Sequence, residues 1–212
     1  MKRRLILGGS ILAVAAAAYI LGWSTLFTVS AVEINGTSTQ ITSGIVQGQK
    51  LARVEPRAVA ATIEKLEWVA GAKVSRNWIN GTVTIEITER TPVAIFNNMV
   101  IDSTGQSFIL RGKAPENLVQ IQAGDLAAAT EAVTFFVSLP EEIQSSLTLL
   151  KVRSNGAMVL SVNNSGKNLE IRWGLDGDNE LKIKVYKAVI ALPENATIKR
   201  VDVSAPHAPI VK

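Results

Sequence analysis

The 23 residues from Leu5 to Phe27 carry no charged side chain, and this stretch constrains the chain more than any other. A helix over it, at about 1.5 Å rise per residue, is roughly 34 Å long, enough for a hydrocarbon core of about 30 Å. Lys2, Arg3 and Arg4 lie on its amino side and Glu33 is the first charge beyond it. The positive-inside bias therefore places the N-terminus in the cytoplasm and the rest outside. Trp23 and Phe27 suit the outer interface, with Tyr19 just below them. The competing reading is a cleaved signal peptide, because Val29-Ser30-Ala31 offers small residues at the spacing a signal peptidase accepts. The apolar run exceeds the roughly 7–15 residues of a signal h-region, which favours a retained anchor. On either reading residues 32–212 are extracytoplasmic.

Charge then removes one class of partner. The formal net charge is +4, and the three cations before the apolar run leave 4 − 3 = +1 for everything after them, too little for a nucleic-acid footprint. Cysteine is absent, so a disulfide framework, a thiol nucleophile and cysteine-based metal or redox chemistry are excluded. The one histidine is His207, in a Pro-flanked segment near the end.

Beyond the apolar run, Val32 and Ile34 before Asn35-Gly36 read as a short strand closed by a turn. Residues 42–48 read as a weak helix, since two glycines lower its propensity. A better helix starts at Glu55-Pro56, with Val59, Ile63 and Leu66 on one stripe. Val69–Arg76 alternates, Asn80-Gly81 is a hairpin turn, and Val83, Ile85 and Ile87 face one side of a returning strand. The order is strand, helix, helix, strand, strand. After Pro92, short strands at 93–96, 99–102, 107–110 and 118–121 make a meander. A helix follows at 126–139, with Leu126, Val133, Phe136 and Val137 on its apolar face and Pro140 as its stop. Strands at 147–153, 158–162 and 169–173, a helix at 181–192 and a final strand at 198–204 complete an α+β chain. Its predicted parts are a tail at 1–4, a transmembrane helix at 5–27, a first domain at 28–96, a β domain at 97–205 and a C-terminal tail at 206–212.

Candidate sites for chemistry are few. Glu86 and Glu89 are the densest carboxylate pair, but in a strand they face opposite sides. Glu89, Arg90 and Pro92 read instead as an interdomain corner held by hydrogen bonds or a local ion pair. Asp176-Gly-Asp178-Asn-Glu180 clusters oxygen ligands, yet Leu181 and Lys187 stand where a calcium loop needs glycine and a bidentate glutamate. A turn with Asp178 or Asn179 as N-cap explains it better. No serine has a histidine partner or a nucleophile motif around it, which leaves only a Ser–Lys dyad open to composition. Four N-x-Ser/Thr sequons, at Asn35, Asn80, Asn163 and Asn195, are explained equally by turns. No metal or cofactor is expected. The final strand, carrying Val201, Asp202, Val203 and Ser204, reads as an edge open to a partner's strand.

These segments together resemble the FtsQ/DivIB family of bacterial cell-division proteins over nearly the whole chain. The features are the basic tail and single span, Val32-Glu-Ile34-Asn-Gly36, Ala72-Lys-Val74-Ser-Arg76-Asn-Trp78, the corner Glu89 to Ala94, and Asp102-Ser-Thr-Gly105. Arg172-Trp-Gly174 and Val201-Asp202-Val203-Ser204-Ala-Pro206 are similar to the actinobacterial branch. Ile79 departs from the proline common before the hairpin turn. The resemblance implies a POTRA domain followed by a mixed β domain, in a non-enzymatic scaffold at the division septum of the inner membrane. It also implies that the C-terminal part of the β domain, with its last strand, receives an FtsB-type partner alongside FtsL-type proteins, and that the POTRA domain contributes to recruitment. Two other functions fit a POTRA-bearing anchored chain: polypeptide export, which calls for a barrel or a tandem POTRA array, and a membrane-anchored Ser–Lys hydrolase.

Overall fold

The protein is described by a computed structural model covering the backbone of residues 2–23, 27–164 and 166–212, and their side chains apart from 2–7, 17, 20–23 and 164. It divides into two compact units, Met1–Arg90 and Thr91–Lys212.

The first unit opens with helix α1, Lys2–Trp23. Among the described residues no helix is long and apolar enough to cross a membrane. The expected span over 5–27 takes in residues 24–26, which lie outside the described residues. Strand β1 (Ala31–Asn35) is followed by a single 3-10 turn at Leu51–Arg53, helix α2 (Pro56–Ile63), and strands β2 (Val69–Arg76) and β3 (Thr82–Glu89). The helix expected at 42–48 does not form. Gly44 and Gly48 hold φ of +70° and +85°, a left-handed backbone that a right-handed helix excludes. The sheet order is β1-β3-β2, with β1 parallel and β2 antiparallel to β3. Val83, Ile85 and Ile87 are buried, and Ile63 of α2 with them, while Val59 and Leu66 are half-buried.

Arg76 ties two parts of this unit together. Its Nη1 donates to the carbonyls of Leu51 at 3.0 Å and Val54 at 2.8 Å, which fastens the 3-10 turn to the end of β2. The guanidinium also lies 5.1 Å from the centre of the Trp78 ring. The alternate-residue Arg-x-Trp spacing is thus one device: β2 and the turn after it present both side chains to the segment at 51–54.

In the second unit β4 (Pro92–Phe96), β5 (Met99–Asp102), β6 (Ser107–Phe108) and β7 (Val119–Gln122) form the meander. Helices α3 (Leu126–Ser138) and α4 (Glu141–Ser146) follow, then β8 (Leu147–Val152), β9 (Met158–Asn164), β10 (Lys167–Gly174), helix α5 (Asn179–Ile190), β11 (Arg200–Asp202) and β12 (Ile210–Val211). Among the described residues they make one sheet of order β12-β11-β10-β9-β8-β7-β4-β5-β6. Parallel neighbours need long crossovers; α3 and α4 supply the one from β7 to β8, and α5 the one from β10 to β11. Strand β4 pairs with β5 and β7, so the expected boundary at residue 96 moves back to Arg90.

Asp125 caps α3, its carboxylate accepting from the Ala128 N–H at 2.8 Å. The buried face of α3 is Ala129, Ala132, Val133, Phe135 and Phe136, whereas Leu126 and Val137 remain exposed. The buried stripe takes in both phenylalanines together with Ala129 and Ala132, and the expected Leu126 and Val137 fall outside it. Trp173 is fully buried, edge-on to Phe135 with ring centres 5.4 Å apart, and its indole N–H donates to Asn179 Oδ1 at 2.9 Å.

Candidate partner-binding edge

The C-terminal edge is built outward from β10. Residues 170–172 pair in parallel with 200–202 of β11, and the Val203 N–H donates to the Arg172 carbonyl at 2.9 Å. Val201 and Val203 are buried, in the same core as Trp173. The Asp202 carboxylate accepts from the Ser204 N–H at 3.1 Å and its hydroxyl at 2.6 Å, turning the chain after β11.

Strand β11 is therefore not the edge. Strand β12 pairs antiparallel along it, Val201 opposite Val211 and Asp202 opposite Ile210, and the expected tail at 206–212 is where that strand lies. Arg200 and Lys212 exchange backbone bonds, each at 3.0 Å. In an antiparallel ladder hydrogen-bonded and non-bonded pairs alternate, so the N–H and C=O of Val211, the intervening residue, point away from β11. Ile210 and Val211 are 57% and 39% exposed. At this edge of the sheet the outward backbone groups thus belong to β12, and Val201, Asp202, Val203 and Ser204 form the layer behind it.

Charges fasten that layer. Glu170 Oε1 accepts from Arg200 Nε at 2.7 Å and Arg172 Nε at 3.3 Å. Burial works to raise the Glu170 carboxyl, and the hydrogen bonds and charges of Arg200 and Arg172 outweigh it, holding the group below its ordinary value. Lys182 of α5 is buried and donates to the Leu175 carbonyl at 2.7 Å. Desolvation lowers its pKa against the opposing charges of Asp178 and Asp176. Burial likewise raises that of Tyr186. A groove of about 540 Å³ at this end is lined by Arg153, Arg172, Asp176, Lys182 and Asp202, among others.

The other candidate residues resolve into local structure. Glu86 pairs with Lys73 at 3.7 Å on the exposed face of β3, and Glu89 lies opposite Val69 at the strand's end. Arg90 holds the same end: its N–H donates to the Trp68 carbonyl and its Nε to the Glu67 carbonyl, both at 2.9 Å. Pro92 starts β4 opposite Asp102, a strand position where its missing donor is tolerated. Asp102 Oδ1 accepts from the Thr104 N–H and hydroxyl and the Gln106 N–H, so the Asp-x-x-Gly element is a turn. Asp178 occupies the N-cap position of α5 at φ +51° without a side-chain cap bond. Asn179 instead ties the loop together, donating to Asp176 Oδ1 at 2.6 Å.

Comparison with known proteins matches residues 27–90 to the model of the FtsQ-type POTRA domain and residues 93–204 to that of the FtsQ/DivIB C-terminal domain. The chain belongs to the FtsQ/DivIB cell-division family. It is 28% identical over 216 residues to "Cell division protein FtsQ" of Streptomyces bingchenggensis, covering 91% of this chain and 79% of that one. It is 27% identical over 158 residues to the protein of the same name from Corynebacterium glutamicum, covering 70% and 69%. The two family domains meet where the two compact units meet. In this FtsQ/DivIB chain the motifs that carried the resemblance coincide with structural devices: Arg76 and Trp78 at the 3-10 turn, Asp102 in its turn, and the Arg172-Trp-Gly174 strand behind the sheet edge.

Proposed function

We propose that this cell-division protein is a non-enzymatic, single-span scaffold that captures a strand from an FtsB-type partner, in company with FtsL-type proteins, along the outer side of β12. Residues 5–27 anchor it in the inner membrane with its N-terminus in the cytoplasm, and the two units work outside at the septum. The uncharged run of the sequence and its flanking cations support the anchor. The observation that carries the binding reading is the outward-facing N–H and C=O of Val211 on an exposed terminal strand, the arrangement that strand addition uses. The corner Glu89-Arg90-Thr91-Pro92 has a mechanical role in this reading. Replacing Glu89 disturbs stability or assembly and removes no catalytic rate.

Depletion in the source bacterium tests the proposal. Cells are expected to form filaments or failed septa, and re-expressed full-length protein restores division and co-purifies with small single-span division proteins. Normal division after complete loss, without a paralogue, would sink it.

A further inference from the structure

Ile79, at 98%, is the most exposed large apolar side chain among the described residues. A lone exposed isoleucine is ordinary; its position in the chain is what gives it meaning. It lies at the tip of the β2–β3 hairpin, and that tip is bonded to the first described residues after α1. The Phe27 and Trp78 rings meet edge-to-face with centres 6.0 Å apart. The Ser30 N–H donates to the Gly81 carbonyl at 2.9 Å, and its hydroxyl to the Asn80 carbonyl.

A second loop flanks the same segment. Residue 29 exchanges backbone bonds with this loop, its N–H donating to Gln49 at 2.8 Å and its carbonyl accepting from Gly48 at 2.7 Å. The loop's Val46 is 67% exposed. Two exposed apolar tips, Val46 and Ile79, thus border residues 27–30. Trp23 ends α1, and the four steps from Trp23 to Phe27 span at most about 14 Å.

We propose that the 77–81 hairpin tip is a membrane foot: Ile79, backed by Trp78 and Phe27, inserts into the outer-leaflet interface of the bilayer in which residues 5–27 are anchored. The proposal rests on the anchoring reading above. With the helix in the membrane, the short tether keeps the tip at the headgroup level, so insertion is an intramolecular event at high effective concentration. Aromatic and apolar side chains at that depth are the pattern of interfacial anchoring. Burial of the isoleucine favours the inserted tip by about tenfold. The foot fixes the height and tilt of the first unit over the membrane.

The absence of cysteine permits a single-site test. Full-length Asn80→Cys protein, carrying an environment-sensitive fluorophore, is reconstituted in phosphatidylethanolamine and phosphatidylglycerol nanodiscs containing a lipid with a shallow doxyl quencher. A probe on Lys65→Cys, in the connection between α2 and the start of β2, a strand roughly 23 Å long, serves as the aqueous reference. A probe on Ala15→Cys, read with a deep doxyl quencher, reports the anchor. The expected result is quenching at position 80 well above that at 65, with the ratio of quenched to unquenched probe falling about tenfold on Ile79→Asp. Equal quenching at 80 and 65, or no change with Ile79→Asp while the position-15 probe is quenched, overturns the foot and leaves the anchor standing. Shielding of position 80 that appears only when another division protein is added also overturns it, since the tip would then dock on protein. No quenching at position 15 overturns the anchoring reading itself.

Discussion

Replacing Arg76 with methionine keeps an unbranched stem of similar length and removes the guanidinium that fastens residues 51–54 to the end of β2. The Val54 carbonyl loses the Arg76 Nη1 donor at 2.8 Å, and a charged hydrogen bond of this kind is worth about 1.5–3 kcal/mol. The Leu51 carbonyl loses its 3.0 Å bond but keeps the Val54 N–H at 3.2 Å, so its loss is nearer 1 kcal/mol. The cation over the Trp78 ring adds about 0.5 kcal/mol at a part-exposed site. The sum is at least about 3 kcal/mol. Amide exchange of the full-length protein in detergent checks it: the Val83, Ile85 and Ile87 amides of β3 are expected to exchange about 100-fold faster. Arg76→Lys should recover part of the loss, because one ammonium replaces the charge but not the fork. Exchange at β3 within threefold of the native rate would refute the fastening role.

Three other substitutions probe the second unit. Trp173→Ala removes a fully buried indole and leaves Asn179 without its 2.9 Å donor; a loss of about 3–5 kcal/mol is expected in urea unfolding. Val203→Pro deletes the N–H that donates to Arg172 and should destabilise the unit by about 2 kcal/mol, visible as a lower thermal midpoint. Glu170→Gln tests the ion cluster. Because the folded carboxyl is held below its ordinary value, its contribution is full above about pH 4.3 and disappears as pH falls through the lower folded value. The gap in urea midpoint between native and Glu170→Gln should therefore be present at pH 7 and close below pH 4. With these side chains a third or more exposed, that gap corresponds to less than about 1 kcal/mol.

Much of this fold is written in local pattern. The alternation through Val83, Ile85 and Ile87 marks β3, Asn80-Gly81 marks the turn before it, and Glu55-Pro56 marks α2. The misses have physical causes. Residues 42–48 have the composition of a weak helix, and their two left-handed glycines decide against it. Pro140 reads as a stop, but proline also suits a helix start, and it precedes the short α4. Strand β12 is two residues beside Pro209, invisible as a strand because only pairing with a distant segment makes it one. That miss moved the binding edge: Val201 to Ser204 alternate like an exposed strand, and nothing local says that Ile210 and Val211 cover them. The burial of Lys182 is equally non-local, because its carbonyl acceptor and covering ring come from β10 and the loop after it.

Strand capture by the outward face of β12 is isolated by Val211→Pro. Proline there removes the N–H that points away from the sheet and leaves the inward bonds of Lys212 to β11 intact. The deciding measurement is the affinity of a labelled extracytoplasmic segment of an FtsB-type partner for the full-length protein, native and Val211→Pro, by fluorescence anisotropy. Strand addition predicts binding about tenfold weaker, the equivalent of one backbone hydrogen bond, with an unchanged unfolding midpoint. Equal affinity for an equally stable Val211→Pro protein would contradict it.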